Sequence, residues 1–358
     1  MTDPRVQRWV RPEVRELQAY AVHEPGGLIK LDAMENPYGW PEWLTQAWLQ
    51  VLAEVPLNRY PDAGASRLCS ALREAYGLSE GQGLILGNGS DELIQILALA
   101  VSRPDRVVLA PDPTFVMYRM IATFAGMGYV GVPLQPDFRL DREAVLAAVQ
   151  RHEPALTFLA YPNNPSGNHW DRADVEAVIE ASPGLVVVDE AYAPFARDSF
   201  LGDLGRYDNL LVMRTLSKLG LAGLRLGLLC GPPAWLQELE KLRLPYNINS
   251  LTQASAAFAL RHGDVLDEQA VAIRRDRARL AQALASLPGI QPYPSDANFI
   301  LFRTPGGQAT VLFERLKAAG ILVKDLSNAG GLLADCLRVT VGTPEENARF
   351  VEALEAAL

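Results

Sequence analysis

Residues 83–101 read GLILGNGSDELIQILALAV, and this stretch decides the fold. It opens with a short apolar run typical of a buried strand, turns at glycines, and continues as an apolar segment of helical length. Ser90 and Asp91 follow the turn, which favours a helix that begins with a side-chain cap. A strand that passes through a tight turn into a helix belongs to a parallel sheet covered by helices.

The same alternation continues after residue 101. The further strand-like runs, in chain order, are RVVLAP, YVGVPL, ALTFLAYP, LVVVDEAY, NLLVMRT and LRLGLLCG. The helix-like segments among them are TFVMYRMIATFAG, DREAVLAAVQRH and DRADVEAVIEAS. Apolar, β-branched runs that alternate with helices predict an α/β fold whose sheet is mostly parallel and covered on both faces.

The chain has 358 residues, which is more than one hydrophobic core usually accommodates, so two domains are expected. After Pro232 the alternation stops. WLQELEKLR and the Ala/Leu-rich stretch 252–286 are typical of helices, and the short strands NFILFRT, ILVKDL and CLRVTVG follow. We predict an N-terminal arm at 1–30, a large domain at 31–245, and a smaller α+β C-terminal domain at 246–358 that packs with the arm.

Composition restricts the class of protein. The net charge is −9, which disfavours binding to nucleic acid or to an anionic membrane. Three cysteines, far apart in sequence, do not form a disulfide framework, and the four histidines lack the spacing of metal ligands. The first residues are charged where a signal peptide is apolar, and no apolar run is long enough to span a bilayer. These features predict a soluble, cytoplasmic protein without metal whose ligands are small molecules.

In an open α/β sheet, ligands bind at the carboxyl ends of the strands. The first strand ends in Gly87–Asp91, where free N–H groups of a helix start suit a phosphate, although a plain turn would look the same. The fourth strand ends in Tyr161–Gly167, which could be an Asn-Pro turn. The fifth ends in Asp189, either a helix cap or a buried acid directed at a cation.

The sixth strand ends at Lys218, which stands among glycine, alanine and leucine. Most lysines lie on solvated surfaces, and desolvation lowers the pKa of a lysine, as Schiff-base chemistry requires. A phosphate cradle, an Asn, an Asp, a Tyr and a Lys thus follow different strands of one sheet. Together they are the contacts that pyridoxal phosphate (PLP) needs: a phosphate anchor, partners for its phenolic oxygen, a carboxylate for its ring nitrogen, and an amine.

The motifs also resemble a known family over nearly the whole chain. In chain order they are LDAMENPYG, RYPDAGASRL, LGNGSDELI, PDPTFVMY, YPNNPSG, VVDEAY, RTLSKLGLAGLRLG and CLRVTVG. This set is similar to that of the fold-type I PLP enzymes and, among them, of the histidinol-phosphate aminotransferases. Two departures stand out. Phe115 takes a position where many members have tyrosine, and Lys218 and Arg225 are one residue closer than is common.

The resemblance implies a role for each matching residue. Lys218 would carry the cofactor as a Schiff base and move the proton of the 1,3-shift, Asp189 would pair with the pyridinium nitrogen, and Tyr192 would complete the catalytic set. The other implied cofactor contacts are Asn164 with Tyr192 at the phenolic oxygen, Phe115 on the ring face, Gly89, Ser90, Asp91, Ser217 and Arg225 at the phosphate, and Tyr60 at the phosphate of the neighbouring subunit's cofactor. The implied substrate contacts are Tyr20, Asn36 and Arg338, with Arg338 on the substrate's anionic group.

The resemblance further implies a homodimer with shared active sites that transaminates L-histidinol phosphate with 2-oxoglutarate. Three alternatives stay open at this point. The first is an aminotransferase for aromatic or other amino acids, and the second is a threonine-phosphate decarboxylase on the same fold. The third is a non-catalytic binding protein, which would be expected to lack Lys218 or to carry an added basic segment.

Overall fold

The computed structural model describes residues 3–19 and 26–358. In these ranges the helices are α1 Pro4–Trp9, α2 Pro12–Arg15, α3 Glu42–Ala53, α4 Ser66–Tyr76, α5 Ser90–Val101, α6 Met117–Phe124, α7 Arg142–His152, α8 Arg172–Ala181, α9 Pro233–Glu240, α10 Ser250–Arg261, α11 Gly263–Ser286, α12 Ala309–Ala318 and α13 Pro344–Ala357. The strands are β1 Ile29–Lys30, β2 Gly83–Gly87, β3 Val107–Asp112, β4 Gly128–Pro133, β5 Leu156–Ala160, β6 Leu185–Asp189, β7 Leu210–Thr215, β8 Gly227–Gly231, β9 Gln291–Pro292, β10 Phe299–Arg303, β11 Ile321–Leu322, β12 Lys324–Asp325 and β13 Cys336–Thr340. None of the described helices is long and apolar enough to cross a membrane.

The large sheet has the strand order β2-β8-β7-β6-β5-β3-β4. β8 runs antiparallel to both of its neighbours, β2 and β7, and the remaining pairs are parallel. The predicted mostly parallel α/β sheet is therefore confirmed. The strand order reverses between β3 and β5, so the carboxyl ends of these strands border the crevice in which such folds bind ligands.

Burial on both faces explains why the central strands are continuously apolar. In β6, Val186 and Val188 contribute to the core on one face, and Leu185 and Val187 contribute to the core on the other. Helices α7 and α8 cover the first face, whereas α5, α6 and α9 cover the second. Because every residue of β6 is buried, the strand can hold a charged side chain only at its end, where Asp189 stands.

The smaller unit contains an antiparallel sheet of order β12-β13-β10-β9, and β11 pairs with β1. The predicted strand ILVKDL is therefore divided: Ile321–Leu322 pairs with β1, and Lys324–Asp325 pairs with β13. Through β1 the end of the predicted arm joins the C-terminal half of the chain, and the Leu31 N–H donates to the Leu322 carbonyl at 2.8 Å. The division into arm, large and small domains stays a prediction.

One local expectation was wrong. The N-cap of α5 is Gly89, and no side-chain cap bond is present, so Ser90 and Asp91 lie in the first turn with their side chains free for other contacts. The helical expectation for 252–286 is confirmed, but the backbone leaves helical geometry at His262 (φ −117°, ψ 36°) and separates α10 from α11.

Candidate active site

A cleft of about 600 Å³, including the solvent at its mouth, opens at the carboxyl ends of the large sheet. Nine of the predicted residues line it: Ser90, Asp91, Phe115, Asn164, Asp189, Tyr192, Ser217, Lys218 and Arg225. They come from six different segments of the chain, and the sheet brings them together because its strands end at one edge.

Lys218 lies in a wide helical turn, Ser217–Leu221, directly after β7. Its Nζ donates to the Ala33 carbonyl at 3.1 Å and lies 5.9 Å from the centre of the Tyr192 ring. Burial lowers the pKa of Lys218, and the positive charge of Arg338 acts in the same direction. The resulting pKa is about 8. A substantial fraction of this amine is therefore neutral, and able to accept a proton, near physiological pH.

The lowered pKa predicts selective chemical labelling. A lysine with pKa about 8 has a neutral fraction at pH 7 roughly two-hundred-fold larger than one with the ordinary value of about 10.4. Competitive acetylation of the cofactor-free protein, followed residue by residue by mass spectrometry between pH 6 and 11, should give Lys218 a midpoint about two pH units below that of a free lysine. A midpoint above 10 would contradict the desolvated site.

Asp189 is buried at the end of β6, with 5% of its surface exposed. Its Oδ1 accepts from the Ala191 N–H at 3.1 Å, and its Oδ2 accepts from the Tyr118 hydroxyl at 2.6 Å. Burial raises the pKa of Asp189 to about 6, against the opposing effect of the Tyr118 hydrogen bond. A buried carboxylate of this kind is stabilised by a cationic partner, and a protonated ring nitrogen would supply one.

Another part of the cleft contains the residues predicted to form a phosphate cradle. Arg225 adopts a left-handed conformation (φ 48°), and its Nη1 donates to the Ser217 hydroxyl at 3.2 Å. Gly89 has φ 85°, a backbone conformation that favours glycine, and a Cβ at that position would lie 2.8 Å from Nη2 of Arg225 and displace the guanidinium. The short spacing between Lys218 and Arg225 thus still brings the guanidinium to the start of α5.

Asp91 is the one acidic member of this cradle. Its carboxylate lies 3.8 Å from Nη2 of Arg225, and its Oδ1 is buried without a hydrogen-bond partner among the described residues. Burial raises the pKa of Asp91, and the charges of Arg225 and Lys218 oppose the shift. A phosphate would be repelled by this side chain, so Asp91 can contribute to phosphate binding only through its backbone N–H at the helix start.

Asn164, Tyr192 and Arg338 form a connected group beside Lys218. The Asn164 amide donates to the Tyr192 hydroxyl at 3.2 Å, and Nη1 of Arg338 donates to Oδ1 of Asn164 at 2.6 Å. Arg338 is buried on β13, and its Nη2 also donates to the Asp32 carbonyl at 3.1 Å. Its placement, bonded to a residue that lines the cleft, suits an anion bound there. Asn163, by contrast, is fully buried among protein partners and is structural.

Two predicted residues lie outside this group. The Asn36 amide donates to the Leu219 carbonyl and to Gln269, so Asn36 contacts the turn that carries Lys218 and does not line the cleft. Tyr60 is 81% exposed and stacks on Tyr246 at 4.6 Å, away from the cleft of its own chain. Tyr20 lies outside the described residues.

Six residues that line the cleft were not predicted: Met34, Tyr118, Ala160, Pro162, Ala191 and Thr215. Two of them, Tyr118 and Met34, form side-chain hydrogen bonds with the predicted catalytic residues Asp189 and Tyr192. Tyr118 lies in the first turn of α6, three positions after Phe115, but nothing in the sequence shows which way it points. Met34 has φ 56°, unusual for a residue other than glycine, and its sulfur accepts from the Tyr192 hydroxyl at 3.2 Å. The sequence gives no signal for Met34, because its positive φ is visible only in the structure.

These residues fit PLP. The amine of Lys218 and the buried carboxylate of Asp189 lie in the same cleft. Among the described residues, the hydrogen bonds to this carboxylate come from two neutral donors, the Tyr118 hydroxyl and the Ala191 N–H, and not from a cation. Ser217, Arg225 and the helix start at Gly89 would hold the phosphate, and Phe115 would cover the ring. Bound PLP supplies an acceptor for the electrons that the substrate Cα–H bond releases. The fold and the site define a PLP-dependent enzyme of the fold-type I class.

The comparisons with known proteins give the family. The chain belongs to the class I and II aminotransferases, whose family model matches residues 27–354. It is 59% identical to histidinol-phosphate aminotransferase 2 of Nitrosococcus oceani over 356 residues, covering 99% of each chain. It is 53% identical to the histidinol-phosphate aminotransferase of Chromobacterium violaceum, covering 98% of each. The crystal structure of the Sinorhizobium meliloti histidinol-phosphate aminotransferase, in complex with PLP, superposes with a TM-score of 0.87 at 27% identity, covering 98% of this chain and 97% of that one.

Proposed function

We propose that this aminotransferase transfers the amino group of L-histidinol phosphate to 2-oxoglutarate, giving imidazole-acetol phosphate and L-glutamate in histidine biosynthesis. The proposal rests on two relatives named histidinol-phosphate aminotransferase, which are 59% and 53% identical to this chain over almost the full length of both proteins. The geometry supports it. Histidinol phosphate has a phosphate and no α-carboxylate, whereas glutamate has carboxylates, so one site must accept either anion.

Arg338 suits this double requirement. A guanidinium binds carboxylate or phosphate in the same bidentate way, and Arg338 is fixed by Asn164 beside the amine of Lys218. With Nζ of Lys218 neutral in part at physiological pH, the same amine would take the proton from the substrate carbon and deliver it to the carbon two atoms away, as the 1,3-shift requires. Tyr192 and Asn164 would hold the phenolic oxygen of the cofactor while the proton moves.

The first test is the absorption spectrum of the PLP-loaded protein before and after histidinol phosphate is added without any 2-oxo acid. We expect the PLP band to be replaced by that of pyridoxamine phosphate, and 2-oxoglutarate to restore it. A PLP band that ignores histidinol phosphate but responds to an aromatic amino acid would assign another amino donor. Release of carbon dioxide from threonine phosphate would identify a decarboxylase instead.

We further propose a homodimer in which Tyr60 reaches the phosphate of the partner subunit's cofactor. Tyr60 is 81% exposed, Leu57 near it in sequence is 74% exposed, and Leu244, two positions before Tyr246, is 70% exposed. Its ring stacks on Tyr246, so these apolar residues of two segments meet at the surface. Exposed apolar side chains that adjoin one another are typical of a protein interface.

Subunit mixing tests the shared site. Lys218→Ala and Tyr60→Ala dimers should each be impaired, since each lesion affects both sites. After exchange in an equimolar mixture, a mixed dimer contains one site with both residues intact, and about a quarter of the wild-type activity per subunit should return. Light scattering should give twice the 39.1 kDa mass of the chain. A monomer, or a dimer without complementation, would refute the shared site.

We place the enzyme in the cytoplasm. Cys69, Cys230 and Cys336 are all free thiols, as expected for a protein of a reducing compartment.

A further inference from the structure

We propose that Tyr118 is the positioning residue of the cofactor's ring: one buried side chain fixes both the carboxylate of Asp189 and the aromatic ring of Phe115. The Tyr118 hydroxyl donates to Oδ2 of Asp189 at 2.6 Å. The Tyr118 ring meets the Phe115 ring edge-on, with centroids 5.5 Å apart and an interplanar angle of 86°. The inference depends on the PLP site but not on which amino donor the enzyme uses.

The surroundings of Tyr118 fix its own position. It is 0% exposed on α6, and its ring stacks on Phe158 of β5 with centroids 4.4 Å apart and an interplanar angle of 3°. A buried tyrosine hydroxyl requires a hydrogen-bond partner, and here the partner is Asp189. Because the ring is held between Phe158 and Phe115, the hydroxyl can be presented to the carboxylate from one direction only.

The carboxylate needs such a contact to keep one orientation. The χ2 torsion of an aspartate is broad, so a lone carboxylate would sample many planes. The Ala191 N–H holds Oδ1 and the Tyr118 hydroxyl holds Oδ2, and with both oxygens fixed the plane of the group is fixed. The remaining lone pairs are then directed at one place in the cleft, where the ring nitrogen of PLP would be bound.

Charge adds a second consequence. Burial raises the pKa of Asp189, and the carboxylates of Asp91 and Glu190 raise it further, whereas the Tyr118 hydroxyl and the Ala191 N–H lower it. Removing the hydroxyl therefore moves the pKa of Asp189 upward. A larger fraction of Asp189 would then be protonated at a given pH, and a neutral acid cannot pair with a protonated ring nitrogen in the same way.

The test compares Tyr118→Phe with Tyr161→Phe. The control removes the hydroxyl of another buried tyrosine, Tyr161. That hydroxyl donates to Oδ2 of Asp198 at a distance of 2.9 Å, and this pair lies away from the cleft. The Kd of PLP is measured on the cofactor-free proteins, without substrate, from pH 5.5 to 8.5. We expect Tyr118→Phe to weaken PLP binding about 10-fold to 100-fold, the range for a hydrogen bond to a charged group.

The pH profile separates a positioning role from a purely structural one. Lys218 and the ligand titrate in every variant, so the difference between profiles isolates Asp189. In Tyr118→Phe the loss of affinity on the acid side should begin at a higher pH than in the wild type, and in Tyr161→Phe it should not move. In an Asp189→Asn background, Tyr118→Phe should have little further effect on Kd.

The proposal would be overturned if PLP affinity began to fall at the same acidic pH in the wild type and in Tyr118→Phe. It would also be overturned if this pH moved by the same amount in Tyr118→Phe and Tyr161→Phe. Should Tyr118→Phe fold poorly, Tyr118→His serves as the second variant, because its ring N–H can replace the donor. The proposal then requires a PLP affinity above that of Tyr118→Leu at equal thermal stability. Since no amino donor is present, failure of the histidinol-phosphate assignment would leave these results unchanged.

Discussion

Replacing Lys218 by alanine should lower kcat by on the order of 10⁴-fold or more, because the variant would lose both the proposed covalent anchor of PLP and the group proposed to move the substrate proton. Nζ is the amine that the structure places in the cleft with Asp189, Asn164 and Tyr192. Single-turnover experiments with PLP-loaded protein would measure the chemical step directly. PLP should still bind, more weakly, because Ser217, Arg225 and the start of α5 remain.

Lys241→Ala is the matched control, since that lysine is exposed at the C-cap of α9 and its Nζ pairs with Glu238. It should keep wild-type kcat and PLP affinity. A small primary amine such as methylamine should partly restore the proton transfer in Lys218→Ala, because it can occupy the space that the side chain leaves. Turnover of Lys218→Ala above a tenth of the wild-type rate would exclude Lys218 as the proton carrier.

The fold was largely predictable because its signal is local. Each strand of the large sheet is a short apolar run between turn residues, and burial on both faces makes these runs continuous, as in LVVV before Asp189. What the sequence could not show was the break at His262 and the division of ILVKDL between two sheets. Both depend on which distant strand or helix the segment meets, and this information is not in the segment itself.

The cleft residues also fall into two groups, those with a local sequence signal and those that depend on distant contacts. Asp189 ends β6, and Lys218 and Asn164 lie within four residues of the ends of β7 and β5. The rule that ligands bind at the carboxyl ends of strands was therefore sufficient to select them. Tyr118 lies inside α6 and reaches Asp189 only because α6 crosses the sheet at that point. Met34 reaches Tyr192 because Thr340 and Asn298 hold its backbone from the small sheet. A residue whose role depends on the packing of two distant segments leaves no pattern along the chain.

Arg338→Ala should lower kcat/KM by about 10²–10³-fold for both histidinol phosphate and 2-oxoglutarate, the range for removing one partner of a buried charge pair. The effect should fall on both substrates because one guanidinium is proposed to bind the phosphate of one and a carboxylate of the other. Arg338→Lys should recover part of the loss, since it keeps the charge but not the two parallel N–H donors. Steady-state kinetics with each substrate varied in turn would measure these effects.

Arg338→Ala removes two things at once, because Nη1 of Arg338 also donates to Asn164. The experiment therefore has to distinguish lost substrate binding from a loosened Asn164. PLP affinity reports on Asn164 and Tyr192 without any substrate, so a variant that only loosens these residues would lose PLP as well. Arg303→Ala is the matched control: Arg303 lies on β10, beside β13, and donates to Tyr293 and the Leu332 carbonyl away from the cleft. Loss on only one substrate would show that the two anions use different sites, and unchanged kinetics on both would remove Arg338 from the binding site altogether.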